Sequence, residues 1–264
     1  MEFKNKNPLV SIIMNCYNGE KFLNESIKSV FNQSYKNWEL IFWDNMSSDN
    51  SSKIIKKIDD TRIKYYRSNK FENLYKARNL ALEKASGKFI CFLDTDDLWE
   101  TTFIEKNLNK ILKLNSSIVY SKYFIKNDMS DKKYISYSKD LPSGFITQKL
   151  LKRYLVGISA VFLKKDIFDE NKFDPNYQII GDFDLFLKLS LTHEFYPIQE
   201  PLLTYRHHPN NFTNKNLKMY VNELKYWIEN NQNLYKKKYN LNYLKIYIFK
   251  LRIKKFLKIL RKQL

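Results

Sequence analysis

Glycine, proline and cysteine are scarce in this 264-residue chain, which has only five Gly and six Pro. That composition excludes collagen-like and low-complexity proteins. The only two cysteines, Cys16 and Cys91, each lie in an apolar run without a CxxC partner. This favours two reduced core thiols in a cytoplasmic protein, with a disulfide between them as the alternative.

Long apolar runs and nucleotide-binding glycine motifs are also absent. No stretch reaches about 18 uncharged apolar residues, so we expect no transmembrane helix. The start of the chain, MEFKNKNPLVSIIMNCYNG, has too short an apolar run for an export signal, and we expect no signal peptide. No GxGxxG or GxxxxGK[ST] pattern occurs, which excludes the Rossmann fingerprint and the P-loop. The His and Cys spacing fits no zinc site.

Positive charge is abundant but unevenly distributed. Residues 204–264 hold 15 Lys and Arg against two Glu, or +13 of the total +18, which leaves +5 for the preceding 203 residues. The basic character therefore belongs mainly to the C-terminal part and needs its own explanation.

Short apolar strands alternate with amphipathic helices in the first half of the chain. The expected strands cover residues 9–15, 38–44, 62–67 and 88–94, and the expected helices cover residues 20–33, 54–58, 73–85 and 101–114. Such alternation predicts an α/β fold with a mostly parallel sheet flanked by helices. Further on we expect strands at 117–125, 158–163 and 202–206, a helix at 182–191, and a mobile polar excursion at 128–139.

Polar and acidic side chains follow the expected strands at their carboxyl ends. The first strand end carries Asn15, Tyr17 and Asn18. Asp44 ends the second strand, and Asp94 and Asp96 end the fourth. Ligands of open parallel sheets bind at this edge. Crowded carboxylates repel one another and lose hydration, and a hard divalent cation such as Mg²⁺ or Mn²⁺ would compensate for this. The alternative is that Asp97 caps the next helix.

Four stretches together resemble glycosyltransferase family 2, whose members are inverting nucleotide-sugar transferases of GT-A fold. They are PLVSIIMNCYNGEKFLNESIKSVFNQSYKNWELIFWDNMSSDNS (8–51), ARNLALEKASGKFICFLDTDDLW (77–99), GDFDLFLKL (181–189) and YRHHPNNFT (205–213). They occur in the family's order.

The resemblance implies a nucleotide pocket at the first strand ends. Tyr17 and Asn18 would line it, and Asp44 would hydrogen-bond the base, usually uracil, with Ser47 beside it. Arg78 would lie near the nucleotide and diphosphate. From the residues alone, Asp44 could simply cap the SSDNSS turn and Arg78 could be a surface helix residue.

The resemblance also implies the reacting groups. Asp94 would approach the ribose, Asp96 would ligate the metal, Arg206 and His208 would close over the diphosphate with His208 as a second metal ligand, and Asp182 would be the general base.

One position departs from the family pattern. Residue 181 is Gly where the family commonly has Glu, which puts acceptor contacts and tuning of the base in doubt. Asp182 could instead cap its own helix. His207 and His208 could be a loop pair without a role, and Asp184 is expected to face solvent.

The segment YLKIYIFKLRIKKFLKILRKQL (243–264) contains eight Lys or Arg and no acid. Its spacing places bulky apolar residues on one helical face, namely Phe249, Ile253, Phe256, Leu257, Leu260 and Leu264. Such a helix is typical of membrane surfaces. It could also pack on the catalytic domain with a solvated basic face, or bind nucleic acid, for which no recognised module is present.

We therefore expect a GT-A catalytic domain at residues 1–213 and a basic helical extension at 214–264. The expected activity is metal-dependent inverting transfer of a hexose or N-acetylhexosamine, using Mn²⁺ or Mg²⁺, from a nucleotide-diphosphate sugar, with UDP as the expected nucleotide. The acceptor would be a surface polysaccharide or lipid-linked glycan, reached from the cytoplasmic face of the membrane, without nucleic acid as a partner. The alternatives are a nucleotidyltransferase, which the single glycine of MNCYNGEKF disfavours, and a non-catalytic homologue that binds membranes or glycans.

Overall fold

The computed structural model describes residues 7–263, with side chains described to residue 253. The strands are β1 (Val10–Cys16), β2 (Trp38–Asp44), β3 (Ile63–Arg67), β4 (Phe89–Phe92), β5 (Leu98–Trp99), β6 (Ile118–Asn127), β7 (Lys133–Ile135), β8 (Val161–Lys164) and β9 (Phe195–His207). The helices are α1 (Glu20–Phe31), α2 (Ser51–Lys56), α3 (Leu74–Leu82), α4 (Phe103–Leu114), α5 (Thr147–Lys152), α6 (Ile167–Glu170), α7 (Gly181–Thr192), α8 (Phe212–Lys215), α9 (Leu217–Tyr235) and α10 (Asn242–Gln263).

All the strands belong to one sheet, in the order β3-β2-β1-β4-β8-β6-β9-β5, with β7 paired to β6. The first four strands in this order run parallel, and β6 and β9 are also parallel. The contacts of β4 with β8, β6 with β8, β6 with β7 and β5 with β9 are antiparallel. The sheet is therefore a mixed α/β sheet, parallel in the half that carries the strand ends singled out above.

Helices cover both faces of the sheet, and the strands supply side chains to both layers. Along β1, Ile13 points into the layer that contains α3 and α7, while Ile12 and Met14 point into the layer that contains α1 and α4. This alternation follows from the two-residue period of a strand. Because both faces are buried at the centre of the sheet, β1, β2 and β4 are mostly apolar, as the sequence predicted.

Three local predictions for the second half are wrong. Residues 158–160, expected to begin a strand, form a 3-10 helix just before β8. The segment expected to be a mobile excursion forms a hairpin, in which β7 pairs with β6. Asp184, expected to face solvent, is 1% exposed and accepts hydrogen bonds from Lys188 Nζ at 2.7 Å and Trp227 Nε1 at 2.9 Å. The last two outcomes depend on contact with another element, β6 for the hairpin and Trp227 of α9 for Asp184, which local spacing does not show.

The C-terminal helices pack on the same apolar layer as α7. Trp227 of α9 and Leu244 and Ile248 of α10 are buried there. The hydrophobic core therefore continues across the expected division at residue 213. A separate role for residues 214–264 stays a prediction. None of the helices in the described part of the chain combines the length and the apolar character needed to cross a bilayer.

Candidate functional site

Two adjoining cavities open at the carboxyl edge of the parallel strands. The acidic cavity, about 340 Å³ in volume, has Arg78, Asp94, Asp96 and Asp182 in its wall. The aromatic cavity, about 270 Å³, has Tyr17 and Phe71 in its wall. Asp94 and Asp96 border both cavities, so the two form one continuous candidate site.

Asp94 is paired with a buried cation of the protein itself. Arg78 of α3, 3% exposed, donates from Nη2 to Asp94 Oδ1 at 2.7 Å. Burial raises the pKa of Asp94 against the opposing attraction of Arg78, and the charge of Asp96 adds to the rise. Arg78 is thus a component of the site wall, and its alternative as a surface helix residue is wrong.

Asp96 faces two side chains from the segment after β9. Its Oδ2 lies 3.0 Å from His208 Nε2 and 3.3 Å from Asn211 Nδ2. His208 is 7% exposed, and its Nδ1 has no hydrogen-bond partner among the described residues. The sequence separation of Asp96 from His208 is over a hundred residues, so their convergence favours a shared role over an unused loop histidine.

Arg206 stabilises the segment that carries Asp96 and Asp97 by hydrogen bonds to both residues. Its backbone N–H donates to Asp97 Oδ1 at 3.2 Å, and its Nε donates to the Asp96 carbonyl at 3.1 Å. Its Nη2 donates to Glu25 at 2.8 Å, and its guanidinium lies over the Phe22 ring. The side chain is in the wall of neither cavity, so the predicted contact of Arg206 with the diphosphate needs a rearrangement of these bonds.

Asp97 is a buried acid that forms no ion pair with the side chains that the structure describes. Burial raises its pKa well above the ordinary value, and the charges of Asp96 and Asp94 raise it further. Helix α4 begins after Thr102, so Asp97 does not cap it.

Asp44 ends β2 with no exposed surface. Its Oδ1 accepts the Ser47 N–H at 2.7 Å, and its Oδ2 accepts from Tyr65 Oη at 2.7 Å and Arg67 Nη1 at 2.6 Å. The turn-capping alternative is therefore present in the structure. The predicted contact of Asp44 with a base stays a prediction, and it requires Tyr65 or Arg67 to give way.

Asn18 shapes the neighbouring loop. It adopts a φ of 53°, a left-handed conformation that asparagine tolerates better than most residues. Its Oδ1 accepts the Ser48 N–H at 2.8 Å, and its backbone N–H donates to Ser47 Oγ at 3.0 Å. Tyr17 is left 55% exposed at the mouth of the aromatic cavity, edge-on to Phe71 at 4.8 Å. The loop therefore presents an aromatic side chain rather than closing over it.

Asp182 lies in the first turn of α7, in the wall of the acidic cavity. Ile180 is the residue that precedes the helix, so Asp182 is not its N-cap. Its Oδ1 lies 3.1 Å from Tyr75 Oη, and its Oδ2 accepts from Tyr154 Oη at 3.1 Å. A carboxylate is thus held within the cavity that Asp94 and Asp96 also border.

Sequence reasoning missed Arg67, Tyr75, Tyr154 and Asn211, and it placed Asn15 at a strand end without a role. Asn15 has the clearest structural signal, because neither amide atom has a hydrogen-bond partner among the described residues. Asn211 falls within the YRHHPNNFT stretch, and its polar character was the one available signal. The two tyrosines occur in ordinary apolar surroundings, and their role is visible only once α7 is placed.

A divalent cation fits the chemistry of the Asp96–His208 pair. Among the described residues, no three His, Cys, Asp or Glu side chains converge as a metal site. A carboxylate oxygen and an imidazole nitrogen that converge at 3.0 Å are nevertheless acceptable ligands of Mn²⁺. Two protein ligands leave the remaining positions for substrate oxygens, as is usual where a cation is shared with phosphates.

Comparison with known proteins is consistent with this architecture. The sequence matches the family Glycosyl transferase family 2 over residues 11–169. It is 37% identical over 184 residues to the UDP-Glc:alpha-D-GlcNAc-diphosphoundecaprenol beta-1,3-glucosyltransferase WfgD of Escherichia coli, covering 69% of each chain. Two further relatives match over shorter stretches, and the chain spans 47% and 48% of their lengths.

Solved structures share the fold at low sequence identity. S. aureus TarS in complex with UDP superposes with a TM-score of 0.61 at 18% identity, over 81% of this chain and 65% of that one. The mannosyltransferase PcManGT from Pyrobaculum calidifontis, in complex with GDP-Man and Mn²⁺, superposes with a TM-score of 0.66 at 11% identity, over 86% and 65%. The sheet is therefore of the GT-A type, and the chain belongs to glycosyl transferase family 2.

Proposed function

We propose that this protein is a metal-dependent inverting glycosyltransferase. It transfers a hexose or N-acetylhexosamine from a UDP-sugar to a lipid-linked or surface-polysaccharide acceptor. The observation that carries the proposal is the shared cavity, in which Asp182 lies in one wall with Arg78, Asp94 and Asp96 in the others. Inverting transfer needs a base for the acceptor hydroxyl and positive charge for the leaving diphosphate.

The chain's own residues supply distinct parts of that chemistry. Asp182 is the carboxylate positioned to accept the proton of the attacking acceptor hydroxyl. Arg78 holds Asp94 at the border of the two cavities and contributes positive charge there. Asp96 and His208 would hold Mn²⁺ or Mg²⁺, which, when bound, neutralises the charge that develops on the diphosphate.

The donor and acceptor classes rest on the relatives. WfgD is named for UDP-glucose and a diphosphoundecaprenol-linked acceptor, and TarS was solved with UDP. The aromatic cavity suits a nucleoside, because Tyr17 and Phe71 offer ring surfaces at its mouth. The catalytic part at residues 1–213 would then receive support from a C-terminal extension at 214–264.

A peripheral position at the inner face of the membrane follows from the acceptor class and from α10. Leu244 and Ile248 pack that helix against the protein, as the packing alternative expected. On its outer side Phe249 is 63% exposed and Ile253 is 44% exposed. The side chains of Phe256, Leu257, Leu260 and Leu264 lie outside the described residues. One side of α10 thus packs on the protein, and the other side contacts the lipid surface.

Titration calorimetry with two variants tests the proposal. Purified protein is titrated with UDP, GDP and their sugar conjugates, with and without Mn²⁺, and transfer is assayed with a diphosphoprenyl-linked acceptor. Asp96→Ala is expected to lose metal-dependent donor binding. Asp182→Asn is expected to keep donor binding and lose transfer by about 10²–10⁴-fold.

Three outcomes would contradict the proposal in different ways. Transfer by Asp182→Asn at the wild-type rate would remove the base assignment. Donor binding without any transfer by the wild-type protein would indicate a non-catalytic homologue. Binding of no nucleotide under either condition would remove the enzyme proposal altogether.

A further inference from the structure

We infer that Tyr154 and Tyr75 are positioning residues that hold the Asp182 carboxylate in one orientation, and that Gly181 exists in this chain to admit Tyr75. The inference rests on the proposed function of Asp182 as the base. It assigns a role to two tyrosines and one glycine, and it accounts for the missing acid at position 181.

The two carboxylate oxygens of Asp182 face different tyrosines. Tyr154 Oη donates to Oδ2 at 3.1 Å. Tyr75 Oη lies 3.1 Å from Oδ1 and 2.6 Å from the Ile179 carbonyl oxygen, so its single proton is shared between the side chain and the loop before α7. A carboxylate with a donor on each oxygen has fewer accessible rotamers than a free one.

Both tyrosines are themselves immobilised. Tyr75 is 2% exposed and stacks on Phe173 at 5.6 Å between ring centroids. Tyr154 lies edge-on to Phe183 at 5.4 Å. Burial raises the pKa of both tyrosines well above the ordinary value, and the Asp182 charge raises it further. Both hydroxyls therefore keep the protons that they donate.

Gly181 allows this arrangement because any side chain would occupy the space of Tyr75. A Cβ built at residue 181 would lie 2.6 to 2.7 Å from three atoms of the Tyr75 ring. These atoms belong to a buried, stacked ring, which cannot move without disrupting the packing around it. An acid at position 181 and Tyr75 in its present place are thus mutually exclusive, and this chain has the tyrosine.

The arrangement has a chemical consequence for transfer. A general base acts efficiently only when its oxygen lies within hydrogen-bond reach of the attacking hydroxyl. Two tyrosine donors leave each carboxylate oxygen its remaining lone pair for the acceptor. Removing a donor should therefore slow the reaction step and leave donor binding intact.

Steady-state kinetics of Tyr154→Phe, Tyr75→Phe and the double variant test the inference. Phe keeps the ring packing and deletes the hydroxyl. Each single variant is expected to lower kcat by about tenfold and the double variant by about 100-fold, with KM for the donor unchanged, because misplacement of a catalytic group acts on the reaction step.

Tyr120→Phe is the matched control. Tyr120 is fully buried, donates its hydroxyl hydrogen to the Pro142 carbonyl, and is in the wall of neither cavity. It should lower stability without lowering kcat. A Tyr154→Phe/Tyr75→Phe double variant with the kcat of this control, or with an equal loss in kcat and gain in donor KM, would overturn the inference.

Two stability cycles test the contacts without any assay of transfer. Gly181→Ala should cost less unfolding free energy in a Tyr75→Ala background than in the wild type, because the clashing ring is gone. Tyr154→Phe and Asp182→Asn should likewise be non-additive in denaturant titrations. Strict additivity in both cycles would overturn the inference even if the enzyme is active. Donor binding without transfer by the wild type would instead overturn the proposed function. The two stability cycles would still test whether Tyr75 contacts Gly181 and whether Tyr154 contacts Asp182.

Discussion

Asn15 has a side-chain amide whose two polar atoms are buried in the wall of the candidate site. It lies one residue before the end of β1, in the wall of the aromatic cavity, which Tyr17 and Asp94 also line. Neither its Oδ1 nor its Nδ2 has a hydrogen-bond partner among the described residues. A buried polar group without a partner lowers the free energy of unfolding by about 1–3 kcal/mol. Asn15 therefore destabilises the free protein unless a bound ligand supplies the hydrogen-bond partner.

We predict that Asn15→Leu weakens nucleotide binding about tenfold or more while the free energy of unfolding stays equal or rises. The reason is that a similarly sized apolar side chain removes both the unpaired amide and the ligand contact. Calorimetry and urea denaturation on the same preparations measure the two effects. Unchanged affinity would show that the amide does not contact the nucleotide.

Glu39 of β2 joins several strands at the amino ends of the parallel strands, opposite the candidate site. Its carboxylate accepts from Ser11 Oγ at 2.6 Å and from the Ser86 N–H at 2.6 Å, and it pairs with Lys64 Nζ at 2.5 Å. Burial opposes ionisation of Glu39, but the bonds from Lys64 and Ser11 outweigh it and lower its pKa. One charged group thus ties β1, β2, β3 and the turn before β4 together.

Because the folded-state pKa of Glu39 is lowered, its contribution to stability is present above the ordinary glutamate value of about 4.3 and is lost as the pH falls through the lower folded value. We predict that Glu39→Gln reduces the free energy of unfolding at pH 7 by about 1–3 kcal/mol, and that the gap to wild type narrows below about pH 4. Denaturant titrations at several pH values measure this. The exposed Glu83→Gln is the control, and a gap that is constant with pH would contradict the assignment.

The loop before α7 is held by a helix that follows it in sequence. Glu223 of α9 accepts the N–H groups of Gln178 at 2.8 Å, Ile179 at 3.0 Å and Ile180 at 3.1 Å. These residues lead directly into the turn that carries Asp182. The C-terminal extension therefore supports the candidate base, although the family match ends at residue 169.

We predict that Glu223→Gln lowers the free energy of unfolding by about 1–3 kcal/mol and also lowers kcat, because an amide NH₂ then faces backbone N–H donors. Glu229→Gln, an exposed change on the same helix, should do neither. Stability measured by urea and transfer measured with saturating donor distinguish the pair. Equal stability and equal kcat of the two variants would show that the loop before α7 does not depend on the hydrogen bonds to Glu223.

At the scale of the whole molecule, charge and exposed apolar surface lie together at the C-terminal end. Residues 204–264 carry +13 of the net charge of +18. On α10, Phe249 and Ile253 are exposed next to Lys250 and Arg252. Basic residues beside bulky apolar ones favour anionic lipid surfaces, and their attraction weakens with salt.

We predict that the full chain binds vesicles with anionic lipid and that Phe249→Glu reduces this binding about tenfold, because the change replaces an apolar contact with a repelled charge. Leu114→Glu is the control, since Leu114 ends α4 in the layer on the opposite face of the sheet. Sedimentation with vesicles at two salt concentrations measures binding. Equal losses in both variants would place the lipid contact elsewhere.

The sequence by itself determined the α/β architecture and the edge of the sheet at which the site lies. Apolar strands and amphipathic helices have periods that can be read locally. Polar residues at strand ends such as Asp44 and Asp94 share one edge of the sheet because parallel strands end on one side. The family was also evident from residues in order along the chain. These features depend on short-range spacing, which a single sequence displays.

Only the tertiary structure decided which groups satisfy the acids. Arg78 pairs with Asp94, His208 reaches Asp96, and Tyr154 reaches Asp182, all across long sequence separations. The same holds for Gly181, whose meaning depends on a ring contributed by α3. Such pairs arise when separate helices pack on a sheet, and packing geometry leaves no local period in the sequence.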